Sequence, residues 1–253
     1  MASYLVTGAS RGFGLALTHR LASLPASDVT QIFATARGDA PELEELARNS
    51  SGRVVVVKLE VTSEASIKQA AADVEASLQG KGLDVLINNA GTCHYAADGV
   101  RSMDNLAESF TINVLGVHWV TRTFLPLLQK GTQKKVINIS TTLGSITRSR
   151  AAHYLPAPAY KISKAAMNSL TVQYALDYEK EGFTFMALSP GWMKTELGGG
   201  EMADLTAEEG AKASLDIILR AGQDLNGKFP NILVKGWEKA EGRNQYDGSI
   251  TPW

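Results

Sequence analysis

Short apolar runs alternate with longer stretches of helical periodicity along the whole chain. The runs Tyr4–Thr7, Gln31–Thr35, Val54–Leu59, Val85–Asn88, Lys135–Ile139, Thr184–Leu188 and Asn231–Val234 are predicted strands. Gly12–Leu24, Pro41–Arg48, Ser63–Leu78, Met103–Leu128, Ala159–Glu181 and Thr206–Ala221 are predicted helices. Val54-Val55-Val56-Val57 is apolar at every position. Strands covered on one face alternate, whereas strands covered on both read as unbroken apolar runs. Such strands interleaved with helices predict an α/β, doubly wound fold with right-handed crossovers and a parallel, seven-stranded sheet. No repeat, low-complexity tract or flexible linker divides residues 1–253, which read as a single domain. Ser145–Pro158 and Gly198–Leu205 lack periodicity and follow strands. Ligands bind at that carboxyl edge of a doubly wound sheet. Loops near 142–158 and 192–205 are therefore the expected substrate walls.

Composition narrows the function. Of 253 residues 44% are hydrophobic, enough for one large core. The 25 basic and 26 acidic side chains leave a net charge of -1, with no electrostatic pull towards nucleic acid or an anionic membrane. The single Cys93 cannot form an internal disulfide, which fits a reducing compartment. No apolar stretch approaches the ~18–20 residues of a membrane span, and Met1–Gly8 lacks the features of a signal peptide. A cytoplasmic protein is expected. No residue cluster has metal-ligand spacing, so no metal is expected.

The first strand runs into Thr7-Gly8-Ala9-Ser10-Arg11-Gly12-Phe13-Gly14 and then directly into a helix. Glycine allows a tight turn and close approach of a ligand. The free N–H groups and positive end of the following helix suit a pyrophosphate. The spacing differs from the G-x-G-x-x-G Rossmann fingerprint, and no G-K-[ST] follows. Downstream come Asn88-Asn89-Ala90-Gly91, Tyr160-x-x-x-Lys164 and Pro190-Gly191, each after a predicted strand or opening a predicted helix. Together these motifs, spread over almost the whole chain, resemble the short-chain dehydrogenase/reductase family. The resemblance implies a Rossmann fold, a nicotinamide dinucleotide and hydride exchange with a carbonyl or alcohol.

Cofactor choice is read at the end of the second strand, Ala34-Thr35-Ala36-Arg37. A carboxylate there suits the ribose hydroxyls of NAD and repels a phosphate. Arg37 can instead engage a 2′-phosphate through two parallel hydrogen bonds. Arg11 could reach the same group, and Asp39 comes too late for the carboxylate position. NADP(H) is therefore favoured, with a merely solvated arginine as the alternative. By resemblance, Glu60-Val61 lies beside adenine, where the family commonly has Asp-Val. By the same resemblance, Asn89-Ala90-Gly91 contacts the cofactor, and Pro190-Gly191-Trp192-Met193-Lys194-Thr195 cradles the nicotinamide, with Thr195 and the Met193 backbone bonding the carboxamide.

Tyr160 and Lys164 share one face of a helix, a turn apart. A phenol ionises near pH ~10, and a neighbouring ammonium is expected to lower that value. Tyr160 could then exchange a proton with the substrate oxygen. Family resemblance gives the lysine a further bond to the nicotinamide ribose. The fifth strand ends Asn138-Ile139-Ser140-Thr141-Thr142-Leu143-Gly144-Ser145, similar to the family's N-x-S-S-x-x-G segment. Thr141 matches the catalytic serine and is favoured over Ser140, because neighbours on a strand face opposite ways. Ser145 is a third hydroxyl that could face substrate. Asn113 matches the helix asparagine that holds a water beside the lysine, or else serves a bend in the helix. Trp192, Tyr154 and Leu155 are candidate pocket walls for a rather apolar substrate, and the extra residues near Arg148–His153 a rim. Tyr174, Tyr178, His94 and His153 have no role in this chemistry. The tail Tyr246–Trp253 and Leu143–Ile146 are similar to those of small carbonyl reductases related to the C-signal factor.

An NADPH-dependent ketone or aldehyde reductase is the expected function, its partner a small carbonyl or alcohol molecule. A non-catalytic NADP(H) sensor, or an alcohol dehydrogenase or epimerase on the same fold, is the alternative; a methyltransferase fits poorly because the second strand lacks its acid. By family resemblance, the two long helices, Met103–Leu128 and Ala159–Glu181, could support a homo-oligomer.

Overall fold

In a computed structural model that describes residues 1–242 and 244–253, the apolar runs build one sheet of six strands. These are β1 (Ala2–Val6), β2 (Val29–Ala36), β3 (Val54–Lys58), β4 (Val85–Asn88), β5 (Lys135–Ile139) and β6 (Thr184–Leu188). All pairs are parallel, in the order β3-β2-β1-β4-β5-β6. The winding reverses between β1 and β4, and at such a switch point a crevice opens beyond the carboxyl ends of the strands.

Every residue of β1, β4, β5 and β6 is buried, as expected of strands covered on both faces. The valine run in β3 departs from that expectation. It forms the sheet edge, with Val56 exposed and Val55 half-buried. The seventh run, Asn231–Val234, lies beside the end of β6 but is joined there by one bridge alone, Ser189–Asn231, among the described residues. Ser189 donates to the Pro230 carbonyl and Ile232 to the Ser189 carbonyl. Pro230 has no N–H to give, which interrupts a regular ladder. The same segment is backed from the other side by the tail, in bridges Pro230–Ile250 and Leu233–Asp247.

Helices cover both faces. α1 (Gly12–Ala22), α2 (Pro41–Asn49) and α7 (Ala207–Arg220) bury apolar faces on one side. α3 (Glu64–Leu78), α5 (Val117–Lys130) and α6 (Pro158–Asp177) bury theirs on the other. The helix predicted over Met103–Leu128 is three pieces: α4 (Leu106–Phe110), a π-helical turn Thr111–Gly116, and α5. α6 stops at Asp177, and a short 3-10 turn, Glu179–Glu181, completes the stretch predicted as helix. Tyr174 and Tyr178, half-buried, pack against Phe183 and Phe185, Tyr174 stacked on Phe185 and Tyr178 edge-on to Phe183, clear of the crevice.

A polar seam crosses the core below the crevice. Asn88 on β4 donates to Asn138 Oδ1 on β5 (2.8 Å) and to Thr121 Oγ1 on α5 (3.0 Å). Asn138 in turn donates to Thr171 Oγ1 on α6 (2.8 Å). A second buried polar group, Asp84, gathers the opposite end of the sheet. Its carboxylate accepts from Ser3 N, Thr132 N and Gln133 N and from both hydroxyls, over 2.7–3.3 Å. Burial alone would raise the carboxyl pKa, but these hydrogen bonds together outweigh it and lower it. A depressed native pKa adds stability above the unfolded value, lost as pH falls through the native one. Asp84→Asn should therefore cost about 2 kcal/mol at pH 7 and converge on wild type only below about pH 4, as read by denaturant midpoints.

Candidate active site

The crevice begins at the glycine loop. Gly8 has φ +65° and lies against Ala90, and a Cβ on Gly14 would stand only 2.4 Å from the Gly8 carbonyl oxygen. Only glycine lets the loop fold this tightly onto β4. Asn89 locks it there, donating to the carbonyls of Thr7 (2.9 Å) and Gly8 (3.0 Å). Thr7 Oγ1 accepts from the N–H groups of Asn89 and Ala90 in return. No side chain caps the start of α1, so its first N–H groups face the crevice uncapped.

One cavity of about 1290 Å³ runs from Arg37 past this loop to Tyr154 and Trp192. All the site residues expected from sequence line it except Asn113 and Ser145. The glycine loop, Glu60-Val61, Asn89-Ala90-Gly91, Ser140-Thr141, the Tyr160/Lys164 pair and Pro190–Thr195 thus face a common space.

At the far end from Arg37, α6 presents Tyr160 and Lys164, both buried. Lys164 Nζ donates to the Ile139 carbonyl (2.6 Å) and lies 5.9 Å from the Tyr160 ring centroid. Burial pushes the ammonium down to about 8. It also pushes the Tyr160 phenol above its ordinary value, with smaller contributions from Cys93 and Tyr95. The lowered phenol pKa expected from the lysine is thus not what the free protein has: burial dominates, and the ammonium is turned towards Ile139.

Asn113 sits in the π-helical turn and does not reach the cavity. Its carboxamide is committed on both sides. It accepts from Thr92 N (2.9 Å) and donates to Thr92 O (3.0 Å) and Ser163 Oγ (2.9 Å). The wide turn accommodates a buried asparagine inside an otherwise apolar helix, and such turns often mark functional sites. The side chain pins the Gly91–Thr92 corner to α6 one residue before Lys164.

The two candidate hydroxyls are separated by their partners. Ser140 spends its proton on Asn168 Oδ1 (2.6 Å). Thr141 Oγ1 accepts from Leu143 N (3.3 Å), which leaves its proton for the cavity. Ser145, expected to face substrate, does not. It is buried and donates to the Pro252 carbonyl, because the tail docks on this loop. Thr147 and Trp253 strengthen the same contact, and the Trp253 ring stacks on Phe229.

Met193, where the family has a β-branched residue, is buried against α7. Its thioether fills the space beside Gly210 on α7, where a Cβ could not fit. The Met193 carbonyl accepts from Thr195 N (2.8 Å), and Thr195 Oγ1 from Gly198 N (3.1 Å). At the other end Arg37 is 3.5 Å from Glu60, and Arg11 is 2.8 Å from Glu196 across the crevice. Residues absent from the sequence-derived site also line it, among them Cys93 and Tyr95 near Tyr160, and Tyr246 beside Trp192. Cys93 and Tyr95 lie two and four residues past Gly91 of Asn-Asn-Ala-Gly, a position that could have flagged them. His94 bonds Thr92 Oγ1 (2.8 Å) and is not part of the cavity lining.

A doubly wound parallel sheet with a glycine-walled crevice at its switch point defines the Rossmann class. The short chain dehydrogenase family profile matches residues 3–211. The chain belongs to the short-chain dehydrogenase/reductase family and is an oxidoreductase. A short-chain dehydrogenase/reductase of an Arthrinium species is 33% identical over 241 residues, covering 90% of this chain and 86% of the relative. A short-chain dehydrogenase of Penicillium roqueforti is 30% identical over 250 residues, 92% and 96% of the two chains. Among solved structures, an NADPH-bound carbonyl reductase from chicken fatty liver superposes with a TM-score of 0.86 at 34% identity. The match covers 100% of this chain and 94% of that one. The carbonyl reductase Sniffer of D. melanogaster also gives 0.86, at 29% identity and full coverage of both chains. Among the described residues no helix is long and apolar enough to cross a membrane, and no side-chain cluster could hold a metal ion.

Proposed function

We propose that the protein is an NADPH-dependent reductase of ketones or aldehydes. One observation carries this reading: the Tyr160 and Thr141 hydroxyls and the Lys164 ammonium line the same cavity as the glycine loop. The crevice fits a dinucleotide on its own geometry. The glycine loop lines the crevice from Gly8 to Gly14, and the uncapped start of α1 suits a pyrophosphate. Val61 and Glu60 would flank adenine, Asn89-Ala90-Gly91 and Pro190–Thr195 the nicotinamide, with Lys164 on its ribose. Arg37 and Arg11 would hold the 2′-phosphate. Their present partners, Glu60 and Glu196, form exposed ion pairs of a kind worth ~0–1 kcal/mol, and a phosphate engaged by two arginines outbids them. The carbonyl reductases of similar structure support the same choice, one of them bound to NADPH.

When bound, the nicotinamide supplies the hydride; the chain supplies the proton and the field. Thr141 donates to the substrate oxygen and orients it. Tyr160 donates its phenolic proton to that oxygen as negative charge develops. Lys164 stabilises the phenolate left behind, and Asn113 holds the helix turn that carries both. Cys93, Tyr95, Tyr154, Leu155 and Trp192 give the substrate end apolar and aromatic walls. An uncharged, largely apolar carbonyl compound fits them.

NADPH oxidation measured against a panel of aromatic and aliphatic ketones and aldehydes tests the proposal. Cofactor binding without turnover on any of them would favour a sensor. The hydroxyl assignment has its own test. Thr141→Ser should retain activity, and Thr141→Ala should lose about 10²-fold in kcat, the lower end of what removing one aimed donor costs. Activity lost on Ser140→Ala at unchanged stability, but kept in Thr141→Ala, would reverse the roles.

A further inference from the structure

The family match ends at residue 211, yet a later residue reaches the site. Tyr246 is 3% exposed, and its ring packs against Trp237. Its hydroxyl does two things at once. It donates to Asp204 Oδ2 (2.6 Å) and accepts from Trp192 N (3.1 Å). Asn244 donates to the same carboxylate oxygen (2.7 Å). Asp204 lies just past the Gly200–Met202 turn, and Trp192 directly follows Pro190-Gly191. The two strips on either side of the loop are also paired: Lys194 N donates to Leu205 O (2.8 Å) and Leu205 N to Trp192 O (3.0 Å). The Trp192 indole is tethered in turn, donating to Gly198 O (2.6 Å).

We propose that Tyr246 is a positioning residue that sets loop 192–205, and with it the Trp192 wall, against the carbonyl site. This inference rests on the function proposed above. One phenol joins the first and last parts of the loop, so the loop has a fixed base while its middle stays exposed. Phenylalanine could replace the ring but neither bond. The Asp204 carboxylate would keep Asn244 alone, and the Trp192 amide would lose its acceptor. A charge-assisted hydrogen bond is the stronger kind, so the loss should be felt at the loop.

The test uses the full chain with Tyr246→Phe, Asp204→Ala and Asp204→Asn. With benzaldehyde as the probe carbonyl, Tyr246→Phe should raise KM about tenfold, equal to ~1.4 kcal/mol, and barely change kcat. Trypsin should cut after Lys194 faster in the same variant. Asp204→Ala should reproduce both effects and stands in if Tyr246→Phe fails to fold. Asp204→Asn keeps a neutral acceptor for the phenol and should fall between wild type and Asp204→Ala in both readouts. Raised KM together with faster cleavage supports the inference. A lower melting temperature with KM and cleavage unchanged, or any other pattern, overturns it. If wild type reduces no carbonyl in the wider panel, the functional reading fails, and cleavage at Lys194 alone still decides the role of Tyr246.

Discussion

Tyr160→Phe is expected to lower kcat for carbonyl reduction by about 10²–10⁴-fold, the range that general acid catalysis contributes. NADPH affinity and thermal stability should hardly move. The ring keeps its buried place on α6, and the hydroxyl makes no hydrogen bond among the described residues, so its removal orphans no partner. Steady-state rates and a fluorescence titration with NADPH check the two halves separately. Retained turnover would move the acid role to another group, and lost NADPH binding would mean that the residue serves the cofactor instead. The same pair predicts a pH dependence. Burial places Lys164 at about 8 and keeps the Tyr160 phenol protonated well beyond that. Below pH 8 the ammonium is charged and can stabilise a phenolate as it forms. As pH rises through about 8 that charge is lost, so kcat/KM for reduction should fall on the alkaline side.

Arg37→Asp should reduce the preference for NADPH over NADH, read as the ratio of kcat/KM values, by at least about 100-fold. Two effects add. The substitution removes a guanidinium able to bond a phosphate twice, and it places a carboxylate near Glu60, which lies only 3.5 Å from Arg37 now. The concentrated negative charge repels a 2′-phosphate but accepts ribose hydroxyls. An unchanged ratio would reject Arg37 as the phosphate ligand and leave Arg11 as the remaining candidate.

Strand and helix periodicity made most of this architecture legible, because strands buried on both faces leave unbroken apolar runs. β5 and β6 match the sequence reading residue for residue. What escaped depends on partners remote in sequence. The valines of β3 read as interior, yet no apolar pattern within one strand says that it has a neighbour on one side only. Asn231–Val234 has strand composition, but Pro230 spoils its ladder and the tail takes its other side. Within the site, Tyr160, Lys164 and the glycine loop were readable because short motifs fix their relative geometry. Ser145 read as a substrate hydroxyl only because nothing local reveals that Pro252 would occupy it. Tyr246 lies 54 residues from the amide it holds, a separation no motif spans.

The asparagine seam bears on how this enzyme could be re-engineered. Hydrophobic contacts tolerate small slides, whereas a buried amide displaced by one residue loses its partners at a cost of about 1–3 kcal/mol each. Asn88, Asn138, Thr121 and Thr171 therefore work as a key in a slot, indexing α6 on the sheet to a single setting. The outer parts of the substrate loops, residues 146–155 and 196–203, could be grafted or randomised for new substrates with the reacting pair kept at that setting, provided that the key is left uncut.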